Sequence, residues 1–349
     1  MQDFERQVTT AALFVLAALG LWLVTALWRL KRLHRRGRLD APTDTRPHPG
    51  LRLLRALGSL GLVGLAIGLA DAWLSSLRGA LFLSMSLKIA LTATLVVCVA
   101  LEVTLRARAH ARPGAWPWIR SGVAALVFLA ATVVLALRHQ ALHAHPPASA
   151  DTLLAAPFAG RWVSTGAGPT AASNHHHRIA SQRHAADIVR LCDDGRLYHG
   201  NGTAPADSCT WGAEVLAPID GRVVQAVDGL PDQGSRSTLA GNHVVIRLDD
   251  QRYVALAHLK QGSVRVAVGD TVRCGQFIAL AGASGNTDFP HLHVHVQDSA
   301  SYDLHTSRSI PFRFRDVELR RHLWWQRVDS IDLIANDTVR ADGTCPGVR

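Results

Sequence analysis

The feature that most constrains this chain is a change of hydrophobic pattern near its middle. Up to about residue 138 the apolar residues come in long runs: 10–30 (TAALFVLAALGLWLVTALWRL), 56–77, 80–105 and 118–137. Each is near the ~20 residues a helix needs to cross the hydrocarbon of a bilayer. From about residue 158 the runs shorten to four to eight residues rich in Val and Ile, separated by Gly and Asp turns. Such a chain is expected to fold as two dissimilar parts, an α-helical membrane domain of about four transmembrane helices followed by an all-β, mainly antiparallel domain.

Charge follows the same division. Residues 1–140 hold 17 Lys and Arg against 6 Asp and Glu, a net of +11, and residues 141–349 hold 20 against 21, a net of −1. The basic balance therefore belongs to the part with the long apolar runs, which argues for membrane topology and against a nucleic-acid partner. KRLHRRGR follows the first run and RARAHAR the third, whereas the N-terminal tail and the connection after the second run carry only Arg6 and Arg78. The positive-inside rule then places both rich loops in the cytoplasm, with the N-terminus and everything after the fourth run outside. Lys88 and Glu102 in the third run fit best near its ends or against a neighbouring helix. The first run is not a cleaved signal peptide, because basic residues follow it rather than precede it.

Of the five cysteines, Cys192, Cys209, Cys274 and Cys345 fall in the second part. An even number on the oxidising side of a membrane suits disulfides, and Cys192 and Cys209, flanking one loop, are the favoured pair. The chain has no CxxC pair to build a zinc–thiolate cluster.

Residues 139–157 read as a linker, and the segments GRVVQAV, NHVVIRL, RYVALAHL, SVRVAV, QFIALAG and HLHVHV as strands. LDDQR and VGDTVRCGQ are the expected hairpin turns. In the last strand His291, His293 and His295 alternate with Leu292, Val294 and Val296. A strand sends alternate side chains to opposite faces, so the imidazoles line one side and the apolar set enters the core. Histidine is the commonest metal ligand, but a hydrolytic zinc site also needs ligands from elsewhere in the chain. SNHHHRIASQRHAADIVRL (173–191) supplies candidates: His175, His176, His177, His184 and Asp187. If AADIVRL is a strand, His184 points away from Asp187, and the NHHH cluster is the better source.

The string YVALAHLKQGSVRVAVGDTVRCGQFIALAGASGNTDFPHLHVHV resembles the LytM/lysostaphin-type zinc endopeptidases of the M23 family, as do VLAPIDGRVVQAV and GNHVVIRL before it. The likeness covers roughly 174–298 and leaves the first part of the chain untouched. It implies a Zn2+ cofactor with His293 and Asp187 as ligands, and His258 and His291 flanking the activated water as catalytic residues. His295 lies beyond the motif, as a residue behind the ligands or on the surface. The family's usual HxxxD would put a first ligand where Arg183 stands; here NHH…QRxAxD resembles a variant subgroup, with His176, or His175 if the loop register differs by one, as the remaining ligand. Asn242 is a candidate contact to substrate backbone or a turn residue.

The resemblance implies a membrane-anchored zinc metallopeptidase that cleaves peptide cross-links or bridges of bacterial peptidoglycan on the extracytoplasmic, periplasmic side of the inner membrane. The expected partners are peptidoglycan peptides, the lipid bilayer and envelope or division proteins. The expected organisation is 1–138 membrane domain, 139–157 linker, 158–315 peptidase domain and 316–349 C-terminal extension packing on or trailing the β domain. A degenerate M23-like domain that binds envelope partners or activates another hydrolase is the alternative. A lipoyl- or biotinyl-type carrier is disfavoured, because Lys260 is the sole lysine after residue 140 and sits in no carrier turn.

Overall fold

The computed structural model describes residues 152–345 apart from 201, 234, 236, 237, 250, 304 and 323, together with 139–145 and positions 24, 93, 97, 136 and 137. The four apolar runs expected to span a membrane lie outside the described residues but for Val24, Ala93, Val97, Ala136 and Leu137, which are helical. No helix among the described residues is long and apolar enough to cross a membrane.

From residue 152 on, fourteen strands follow one another: β1 (Thr152–Leu154), β2 (Ala159–Gly166), β3 (Ala186–Arg190), β4 (Glu214–Leu216), β5 (Gly221–Val227), β6 (Asn242–Arg247), β7 (Tyr253–Leu259), β8 (Thr271–Val272), β9 (Phe277–Leu280), β10 (Leu292–Gln297), β11 (Ser309–Ile310), β12 (Phe312–Arg320), β13 (Gln326–Ile331) and β14 (Thr338–Asp342). One sheet runs β1-β12-β14-β2-β3-β10-β7-β6-β5-β8, with β11 beside β10 and β13 beside β12; β4 and β9 form a second, two-stranded sheet. Every described pairing except β1 with β12 is antiparallel, as expected of the domain.

Alternation fixes which way the central strands face. Leu292, Val294 and Val296 of β10 enter the main core with Ile188 of β3, Val254 and Leu256 of β7 and Val244 and Ile246 of β6. Val215 of β4 and Ile278 of β9 belong to the same cluster, so the small sheet covers this face. The other face of β3, β10 and β7 carries Asp187, the histidines of β10 and, opposite them, Ala255 and Ala257. Truncating a fully buried leucine such as Leu292 in this layer costs about 2–5 kcal/mol.

Three expectations are corrected. Residues 263–268 (SVRVAV) form no strand: the backbone N–H groups of Val264 and Ala267 bond to Asp228 and Asp270 carboxylates instead of to a neighbouring strand. VGDTVRCGQ is consequently no hairpin, since β8 within it pairs with β5 and β9 pairs with β4. Residues 152–154 of the expected linker form β1 on β12; at the other end β12 runs through 315/316, and β13 and β14 pack on as further strands of the same sheet.

Two disulfides join Cys192 to Cys209 and Cys274 to Cys345, the first being the pair favoured by the sequence.

Candidate metal centre

β3, β10 and β7 lie side by side, with His293 of β10 paired to Asp187 on one side and to Ala257 on the other. His295 is paired to Ala255. Two alanines opposite two imidazoles leave room for the rings, which larger residues would fill.

His258 is the residue that regular alternation would misplace. Following Ala255 and Ala257, it should point into the core with Val254 and Leu256. Instead its backbone takes the left-handed region (φ 62) and the β6–β7 register shifts between Asn242 and Val244. A bulge of this kind re-aims one side chain, and a non-glycine residue with such a φ is held there by its surroundings. The His258 N–H donates to the Ala240 carbonyl (3.0 Å), and its ring then lies 4.5 Å from that of His291 and 5.7 Å from that of His293.

The third contribution comes from a loop. A 3-10 turn, His175–Arg178, is capped by Asn174, whose Oδ1 accepts the His176 N–H and whose buried Nδ2 lies 3.0–3.1 Å from the carbonyls of Gly168, Arg183 and Ala185. That clamp directs two rings at one carboxylate oxygen: Nε2 of His176 is 3.0 Å and Nε2 of His175 3.1 Å from Asp187 Oδ2. The His176 side chain is 13% exposed and that of His175 61%, so both register alternatives reach Asp187 and His176 is the enclosed one. Gly166 beside them has no Cβ for a reason: one would lie 2.6 Å from His175 Nδ1. Arg183, by contrast, is exposed and its Nε donates to the His177 carbonyl. His184 stands apart as expected, its N–H donating to Ser309 Oγ.

The other carboxylate oxygen, Oδ1, is 2.8 Å from His293 Nδ1 and 3.5 Å from His291 Nε2. Burial would raise the pKa of Asp187, but His291, His176 and the hydrogen bond from His175 hold its carboxyl well below the usual range. Burial pushes His258 down to about 3, and the neighbouring His291 adds to this. Burial also acts downward on His291, but Asp187 outweighs it and the net shift is upward. The Nδ1–H of His258 donates to the Ser284 carbonyl (2.8 Å) and that of His291 to the Phe289 carbonyl (3.0 Å). Both rings therefore offer Nε2 to the centre.

Hydrogen-bond partners also show that the donor set suits a cation. His293 Nδ1 faces Asp187 Oδ1, His293 Nε2 faces His295 Nδ1 (3.0 Å), and His295 Nε2 faces Gln297 Oε1 (2.8 Å). Two neutral imidazoles carry one proton each, so this row of three contacts lacks one positive centre. A cation held by His293 Nδ1 and Asp187 would supply it, and His176 Nε2 converges on the same carboxylate. His258, His291 and His293 also have ligand atoms within 4.8 Å of one another, as do His175, His176 and Asp187.

Of the two places expected for His295, the structure shows the one behind the ligands: it is buried (1% exposed) against His293, and Gln297, which the sequence expectation did not name, is buried beside it (1% exposed). Tyr302 packs its ring 5.1 Å from that of His295 and accepts from Gln182 Nε2. Asn242 is corrected as a substrate contact: it is fully buried, with Oδ1 accepting the Leu230 N–H and Nδ2 donating to the Leu230 and Leu259 carbonyls. The polar alternation continuing to Gln297 was the available signal for the buried pair.

An antiparallel sheet that gathers imidazoles around one buried carboxylate has the donor set of a hydrolytic metal centre. Residues 206–303 match the family model described as Peptidase family M23, a span that includes His258, His291 and His293 and begins after His176 and Asp187. That stretch of the β domain is thus similar to that peptidase family. Among curated proteins, Peptidoglycan DD-endopeptidase ShyC of Vibrio cholerae is 32% identical over 82 residues, which is 24% of this chain and 18% of the relative. Peptidoglycan DD-endopeptidase ShyB of the same organism is 35% identical over 102 residues, 29% of this chain and 21% of the relative. The matched stretches thus span a small part of either relative. The catalytic domain of lysostaphin from Staphylococcus simulans is a solved structure with 23% identity and a TM-score of 0.23, covering 32% of this chain and 81% of its own.

Proposed function

We propose that this chain is a membrane-anchored zinc metalloendopeptidase that cleaves peptide cross-links or bridges of bacterial peptidoglycan on the extracytoplasmic side. The observation that carries the reading is the His293–Asp187–His176 convergence, with its row of contacts one positive centre short. The match of residues 206–303 to the M23 peptidase family model supports the chemistry, and the matched relatives, named peptidoglycan DD-endopeptidases, support the substrate class.

His176, Asp187 and His293 would hold the ion. Zinc in such a site lowers the pKa of a water toward about 7 and polarises a carbonyl. His258 and His291 stand on the same side, each with Nδ1–H anchored on a backbone carbonyl and Nε2 turned inward. His258, kept neutral by burial, is suited to accept the proton of the attacking water. His291, whose affinity for a proton is raised by Asp187, is suited to carry one to the leaving amine and to stabilise negative charge on the carbonyl oxygen. No serine or cysteine nucleophile is needed.

Anchoring by the four apolar runs, with the β domain in the periplasm, is supported by the charge asymmetry of their loops. The two disulfides of the β domain agree with that compartment. Envelope or division proteins are proposed partners of the membrane part.

The test is to incubate the full-length zinc-supplied chain with peptidoglycan from several bacterial types and identify new amino groups and muropeptides by mass spectrometry, beside a His293→Ala control. Cleavage confined to the unsubstituted chain is expected. Cleavage that persists in the control would remove the proposed centre from the reaction. The rival reading, a degenerate partner-binding domain, rests on Arg183 at the usual ligand position; it requires a folded chain that retains no zinc.

A further inference from the structure

The face of β10 that carries the histidines does not end at the metal ligand. His293, His295 and Gln297 follow at alternate positions, and all three are buried. Their hydrogen bonds have a direction, set from the far end. Gln297 Nε2 donates to the carbonyls of Ser299 (2.7 Å) and Ser301 (2.9 Å), which turns its Oε1 toward His295 Nε2. An amide oxygen has no proton to give, so His295 Nε2 is the donor there. A neutral His295 then presents a lone pair at Nδ1, 3.0 Å from His293 Nε2. His293 must donate from Nε2, and its own lone pair is left at Nδ1, facing Asp187.

We propose that His295 and Gln297 are positioning residues for the metal, fixing His293 in the tautomer whose Nδ1 is free to ligate. The proposal rests on the zinc reading above and assigns work to two residues that touch neither ion nor substrate. Its physical content lies in what happens when the row is broken. With no acceptor at Nε2, the His293 proton moves to Nδ1, where Asp187 Oδ1 at 2.8 Å accepts it. The ligand atom is then capped by a hydrogen bond inside the protein, and zinc has to displace it. Outer partners of this type change metal affinity by about 10- to 100-fold in other sites.

The experiment measures the zinc dissociation constant of the full-length chain by competition with a chromogenic chelator, for the unsubstituted protein and for His295→Leu, His295→Gln and Gln297→Leu. Leucine fills the space without accepting a hydrogen bond, and glutamine can accept from His293 Nε2 while donating to Gln297 Oε1. The expected result is affinity weakened about 10- to 100-fold in His295→Leu, weakened to a smaller degree in Gln297→Leu, and returned to within about threefold by His295→Gln. A folded His295→Leu chain that binds zinc as tightly as the unsubstituted one overturns the proposal. Equal losses in His295→Leu and His295→Gln also overturn it, since packing alone would then account for both. If His295→Leu does not fold, Gln297→Leu decides, and an unchanged constant there counts against the relay. Failure of the unsubstituted chain to bind zinc would sink the metal reading itself, and the relay with it.

Discussion

Asp187 is the residue on which the centre turns: its two oxygens meet the rings of His175 and His176 on one side and His291 and His293 on the other. Asp187→Asn preserves shape and removes charge, and is expected to weaken zinc binding by more than about 100-fold, beyond the range for outer partners. Chelator competition on the folded variant measures it. Protons provide a second test. Burial lowers the pKa of His258 to about 3 and of His295 and His184 to about 4, and His243 and His293 are lowered as well. Unfolded histidines titrate near 6.5, so between that pH and about 4 the unfolded chain binds protons that the native one does not. Stability then falls as pH falls through this window, and His291, with its raised pKa, opposes the trend as a single group. The metal-free chain is expected to melt at least about 5 °C lower at pH 5 than at pH 7.5. A melting temperature that is flat or rises toward pH 5 in calorimetry would contradict this account of the buried rings.

Among the elements, β5, β6, β7, β9 and β10 were legible because each is an apolar run with turn residues at its ends. Residues 263–268 have the same composition, yet the loop carboxylates of Asp228 and Asp270 take the N–H groups of Val264 and Ala267, a competition that no local pattern reveals. The facing of His293 followed from alternation alone. That of His258 did not, because its left-handed backbone is imposed by distant partners: the Ala240 carbonyl holds its N–H and the Ser284 carbonyl its ring. Those partners are brought together by two glycines, Gly241 (φ 60) and Gly285 (φ 83), each so close that a Cβ would come within 2.4 Å of the other loop's backbone. Gly285→Ala is therefore expected to cost about 1–3 kcal/mol in stability and to reduce peptidoglycan cleavage more than zinc binding, since it displaces His258 and leaves His176, Asp187 and His293 in place. Parallel denaturation, metal-affinity and cleavage assays would expose the opposite order.

For the whole molecule, the sequence showed an antiparallel domain with its centre on the imidazole face, but not the extent of the sheet. β12, β13 and β14 alternate apolar and charged residues in a tail where Trp324, Trp325 and several arginines obscure the period. The Cys274–Cys345 bridge, whose ends are 71 positions apart in sequence, secures that tail. Cys345→Ser is expected to lower stability by about 2–4 kcal/mol. Denaturant titration measures the loss, and a midpoint unchanged from that of the intact chain would show the bridge to be dispensable.

The position of β14 also bears on when the centre can exist. It lies between β12 and β2, and β2 is the neighbour that holds β3, with Asp187, against β10. A nascent chain that has emerged as far as Gln297 already contains every histidine of the centre, yet the outer wall behind Asp187 waits for residues 338–342. Assembly therefore waits for residues 338–342, and a chain stalled or clipped before them would have the histidines of the centre present and its carboxylate unsupported.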